Sequence, residues 1–180
     1  MSNFSFIETE FSDLYPDFRK AEQSVRGDPR AALFYSRRAL EALVNWIYDF
    51  DAALTRPYDD NLNALMRERS FTAQVPRGVQ DKMHLIRKRG NGAVHDKHAI
   101  KAEEALQFAN ELFHIAYWFG RTYGSDPSTV PEKFDPKLVP PSDRQVARHT
   151  IKQYKELAAK AETERTALRQ QQEENEALKA

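Results

Sequence analysis

The sequence predicts an all-α protein: a bundle of four to five helices, then a proline-rich strap and a long C-terminal helix. Three observations carry that expectation. Apolar residues recur at spacings of three and four along most of the chain, the signature of one buried helix face. The alternation of a half-buried strand is almost absent. Helix start and stop signals such as Gly27, Asp28-Pro29, Pro57 and Pro76 fall between the periodic stretches.

Glu8 to Val25 reads as the first helical region, with Phe11, Leu14, Phe18 and Ala21 on one face. Pro16 lies inside it, so either the helix kinks there or its regular part starts there. Asp28-Pro29 then supplies an N-cap and a first helical residue whose missing N–H costs nothing. From there to Phe50 runs the strongest helix, striped by Leu33, Leu40, Leu43, Val44 and Ile47. Thr55-Arg56-Pro57 breaks it, and Asp60 is expected to cap a short third helix carrying Leu62, Leu65 and Met66. Pro76 opens a fourth with Val79, Met83 and Ile86 inward, which Gly90-Asn91-Gly92 is expected to interrupt. The fifth, Ala102 to Tyr123, repeats Ala105, Ala109, Leu112, Phe113, Ala116 and Phe119 at helical period.

Five prolines between Gly124 and Pro141 make that stretch an extended strap or linker. Ser142 with Gln145 three residues on is a capping box for the last helix, expected to run from about 143 to 180. Its apolar positions, Val146, Ile151, Tyr154 and Leu157 among them, are too sparse for a heptad seam. It carries no C-terminal signal, as expected of a helix leading into further domains. The boundaries expected are thus 1–125 for the bundle, 126–141 for the strap and 142–180 for the charged helix.

At 180 residues the chain has room for one domain plus an extension. A domain of roughly 140 residues hides about two-thirds of its unfolded surface, enough to stand without staples. The absence of cysteine excludes disulfides, thiolate nucleophiles and thiolate metal sites. No signal peptide or membrane-spanning run is read, so a cytoplasmic protein without membrane contact is expected. Lys+Arg and Asp+Glu both number 27, a formal net charge of zero, so any grip on nucleic acid has to come from a local patch.

One segment concentrates chemistry. Arg87-Lys88-Arg89-Gly90-Asn91-Gly92-Ala93-Val94-His95-Asp96 places cations, an amide, an imidazole and a carboxylate between two apolar helices. Three readings stand. Gly90, Asn91, Gly92 and His95 would form a structural corner, the imidazole satisfying exposed backbone groups. Arg87, Lys88 and Arg89 would contact nucleic acid. Arg89, Asn91 and His95 are the candidates for catalysis. Six residues of unbroken helix set positions 89 and 95 roughly 120° apart, so within one chain the pair converges only if a glycine breaks the helix. Arg37 and Glu41, four apart, suit either an exposed pair or a bridge to that corner. His84, His98, His114 and His149 have no ligand spacing with one another, and no metal site is expected.

An Arg followed by a polar residue and a His resembles the motif of HEPN-superfamily domains, whose active members bring the Arg and His together across a dimer interface. The resemblance implies Arg89 on phosphate charge, His95 moving protons and Asn91 orienting them. The Gly-Asn…His form at 90–95, with Phe34 to Ile47 and Leu106 to Gly124, is similar to the DUF4145-type domain at the N-terminus of type I restriction–modification R subunits. The resemblance covers about residues 8–125. It implies an interaction module docking to its own nuclease and motor domains, to methyltransferase and specificity subunits, or to DNA or RNA. ATP and Mg²⁺ would belong only to domains further along; the chain has no G-x-x-x-x-G-K-[ST] loop and no carboxylate–Lys nuclease cluster. The alternatives are a dimeric, metal-independent HEPN ribonuclease and a stand-alone helical adaptor.

Overall fold

The computed structural model describes residues 1–95 and 99–153, together with 156, 160 and 163. The expected all-α bundle is what the chain forms; the described residues hold no strand. Residues 1–140 make one compact unit and 141–180 a second.

In the first unit, α1 (Ser5–Glu10) and α2 (Tyr15–Ser24) replace the single N-terminal helix expected from Glu8. Pro16 lies in the first turn of α2, where a missing N–H leaves no bond unmade, so the proline marks a start and not a kink. α3 (Pro29–Phe50) has the predicted bounds, and the Asp28 carboxylate accepts from Ala31 N at 3.0 Å. Its five predicted stripe residues are all buried. The next helix, α4 (Leu62–Arg67), is capped by Asn61 and not by Asp60: the Asn61 amide oxygen accepts from Ala64 N at 3.0 Å. An unpredicted α5 (Arg69–Gln74) comes directly after it. Glu68 turns extended between the two and caps α5 through Ser70 N at 2.6 Å. α6 (Arg77–His95) begins after Pro76, and α7 (Ala102–Tyr123) has the predicted bounds.

These helices close over one apolar core. Phe4, Phe18, Leu43, Ile47, Met83, Ile86, Leu112, Phe113 and Phe119 are fully buried within it. Rings in it meet tilted or edge-on, Phe11 to Phe119 at 4.6 Å and Trp46 to Phe119 at 5.1 Å, or stacked, Tyr48 to Phe71 at 5.7 Å. Two tyrosines bring hydroxyls to its margin. Tyr48 donates to the Leu65 carbonyl at 2.8 Å, and burial pushes its pKa up to about 12. Tyr123 donates to Asp51 at 2.9 Å, with burial and then the Asp51 carboxylate raising its pKa.

The strap is fastened to the bundle. A 3₁₀ turn (Pro127–Thr129) starts it, and Val130 and Val139 are buried. Glu22, almost wholly buried, accepts from Asn3 N at 3.0 Å and Asn3 Nδ2 at 2.7 Å. The same Asn3 side chain donates to the Asp135 carbonyl at 2.9 Å and accepts from Asp135 N at 2.6 Å. A buried carboxylate is costly unless its oxygens find donors, and here it ties the N-terminus and the strap to α2.

In the second unit, α8 (residues 143–153) opens on the predicted capping box. Ser142 N donates to Gln145 Oε1 at 3.0 Å and Gln145 N to Ser142 Oγ at 3.3 Å. Val146 and Ile151 on it are exposed. Its expected continuation through Tyr154, Leu157, Leu168 and Leu178 lies outside the described residues.

Candidate functional site

The chemistry-bearing segment is the C-terminal half of α6, and the helix does not break there. The expected interruption at Gly90-Asn91-Gly92 is overturned: α6 is continuous to His95. The reason lies in its inward stripe. Met83, Ile86, Gly90 and Ala93 are buried, and Val79 partly so, at spacings of three and four. A break would pull Ala93 off the core.

Gly90 is there because α3 is too close for any side chain. A Cβ built on it would stand 2.5 Å from Arg37 Cβ and 3.1 Å from the Leu33 carbonyl oxygen. One turn on, the Ala93 carbonyl accepts from the Arg30 guanidinium. With position 90 against 37 and 93 against 30, α6 runs antiparallel to α3 through a close-packed seam. At Gly92 a Cβ would meet nothing within 4 Å. Gly90, Asn91 and Gly92 therefore do not form a corner. The first is a packing residue and the other two sit within the helix, Asn91 exposed.

On the helix side facing α7, Arg89 pairs with Glu104 and Lys82 with Glu111. Lys82 and Arg89 are seven apart and lie on nearly one line. Between them Leu85 is 43% exposed at a groove of about 520 Å³, lined also by Gln107, Phe108 and Asn110. His114 Nδ1 sits 3.6 Å from Glu111, too long for a hydrogen bond.

The opposite side faces α4 and α5. Gln80 donates to the Thr72 and Val75 carbonyls at 3.0 and 2.7 Å. His84, Arg87 and Asn91 come next at spacings of three and four. Burial lowers the pKa of His84, and the charges of Arg87 and of Arg67, at the end of α4, lower it further; Asp81 opposes them. Arg87 Nε is buried without a hydrogen-bond partner.

The predicted site residues are thus divided. Arg87 lies on one side, Arg89 on the other, and Lys88 and Asn91 are exposed. Positions 89 and 95 sit about 120° apart on an unbroken helix, so the in-chain convergence of Arg89 with His95 lacks the break it requires. The side chain of His95, with Asp96 and His98, lies outside the described residues. Arg37 pairs with Glu41 at 3.0 Å, both side chains partly buried, while the root of its side chain closes over Gly90. Sequence reasoning missed the roles of Glu104, Glu111 and Arg67, because partners on other helices leave no local spacing to read.

Among the described residues no group of three His, Asp or Glu could hold a metal ion, and no helix is long and apolar enough to cross a membrane. Neither a curated protein nor a solved structure matches the chain. Residues 19–166, from α2 through the strap and into the charged segment, match the family described as a domain of unknown function, DUF4145, and the chain belongs to that family.

Proposed function

We propose that this chain is a HEPN-like interaction module from the N-terminus of a type I restriction–modification R subunit, docking the nuclease and motor domains of that subunit to its partners. The observation that supports a docking role over catalysis is the state of Arg89. The cation that would stabilise phosphate charge in a ribonuclease is engaged by Glu104 across the α6–α7 groove, on a helix without a break. An Arg already held by a carboxylate offers little to a developing oxyanion unless the pair is first separated. Exposed Leu85, in a groove rimmed by matched charges, has the make-up of a protein contact: an apolar centre with a polar rim. ATP-dependent translocation and DNA cleavage would reside in domains beyond this sequence.

The test is the reading frame in the source genome and the polypeptide it yields. A longer product carrying a phosphate loop and a carboxylate–Lys nuclease cluster, which co-purifies with methyltransferase and specificity subunits, is expected. A frame that stops after Ala180 would sink the proposal. RNA cleavage by the chain, abolished by Arg89→Ala and by His95→Ala with the fold intact, would replace it with the ribonuclease reading.

A further inference from the structure

The two sides of α6 differ in charge balance. Towards α7 each cation has its carboxylate, Lys82 with Glu111 and Arg89 with Glu104. Towards α4 the cations are unmatched. Neither Arg67 nor Arg87 makes an ion pair or hydrogen bond with any described residue. The carboxylate of Glu41, on neighbouring α3, is taken by Arg37, which leaves Asp81 as the acid that acts on His84.

A buried guanidinium N–H without an acceptor is rare in a finished fold, since leaving it unmade costs as much as a lost hydrogen bond. Arg87 Nε is such a group. It stands one turn from His84 on the same helix line, and Arg67 approaches that line from the neighbouring α4. Two guanidinium groups thus act on one imidazole without a paired carboxylate among the described residues, and α4 itself carries one buried acceptor without a partner, Asn63 Oδ1.

We propose that Arg67, His84 and Arg87 form a phosphate-binding site on the α4–α6 side of the bundle, and that its ligand is a backbone phosphate of nucleic acid. The chemistry is complementary. A phosphodiester brings one negative charge and two non-bridging oxygens, which two guanidinium groups take as forked acceptors. Asn91, one turn beyond Arg87 and exposed, extends the donors along the direction a strand would take. A neutral chain with one unmatched cationic side has the local patch that such contact needs. Nothing in this site depends on an R-subunit origin.

Burial first, and then the cations of Arg87 and Arg67, lower the affinity of His84 for its proton, and an anion placed between those cations offsets their part of it. The test uses the full chain, with inorganic phosphate and a fluorescent oligothymidylate as probes. Saturable movement of the His84 ring resonances with phosphate is expected. Oligothymidylate should bind more tightly and move the same resonances. Arg67→Gln, an exposed change that leaves the core alone, and Arg87→Gln should each weaken oligonucleotide binding about tenfold and flatten its salt dependence by about one counterion. Lys82→Gln, which removes an equal charge on the other side, should change it less than about twofold. Phosphate binding with no tighter oligonucleotide binding would overturn the nucleic-acid assignment in favour of a small phosphate ligand. Silent His84 resonances, or a Lys82→Gln loss as large as that of Arg67→Gln, would overturn the site itself.

Discussion

Gly90 and Gly92 are two residues apart on one helix and do opposite things. Gly90 lies in the buried stripe, where α3 leaves no room for a methyl group; Gly92 lies off it, with nothing within 4 Å. The first exists for packing, and the second is tolerated at some cost in helix propensity. The difference teaches why the segment invites the wrong local reading. Two glycines around an asparagine signal a turn when only neighbours in sequence are weighed. A helix whose far end is held by the burial of Ala93 and by the bond from Arg30 overrides that signal.

The same substitution at both positions would sharpen the contrast and carries the largest expected effect. Gly90→Ala should lose on the order of 2 kcal/mol. The new methyl group collides with the root of Arg37 and a backbone carbonyl, neither of which is the loose end of a side chain. Denaturant midpoints at unchanged slope measure it. Gly92→Ala should instead gain up to about 1 kcal/mol, the helix preference of Ala over Gly. A loss at Gly92 comparable to that at Gly90 would mean that α6 breaks there after all.

The second comparison, between the two sides of α6, predicts smaller numbers. A double-mutant cycle on Arg89 and Glu104 should give a coupling of about 0.5 kcal/mol, since both side chains remain partly exposed. It should shrink further in high salt. A coupling several times larger would make the pair a structural clamp and the groove beside it a less ready docking surface.

Much of this fold is legible in the sequence, and the reason is periodicity. α3 and α7 fall where their stripes and the Asp28-Pro29 start place them, because each buries one long continuous face. The Ser142–Gln145 box is legible because both partners lie within one turn. The split between α4 and α5 is not: Glu68 turns extended with neither Pro nor Gly beside it, and its own carboxylate then caps α5. The site is legible only as a set of residue types. Which cation is matched depends on Glu104 and Glu111, contributed by a helix whose register no local spacing reveals.

His84 gives the smallest and most specific prediction. Burial, Arg87 and Arg67 lower its folded-state pKa below the ordinary value near 6.5, against a weaker pull from Asp81. The unfolded chain therefore takes up the proton first as pH falls. Stability should decline from about pH 6.5 downward and level off once the folded form is protonated too. Above that range both states are neutral at this position and the residue contributes no slope. The chain has four histidines besides His84, so the quantity to measure is the difference between the parent chain and His84→Gln, in denaturant midpoints from about pH 7.5 to 5. The parent should lose more stability than the variant across that range. Inorganic phosphate should narrow the gap if an anion sits between the two guanidinium groups, because it removes the repulsion that the proton meets. An identical decline in both proteins would mean that neither burial nor the cations on the α4 side act on His84, and the contrast between the two sides of α6 would lose its support.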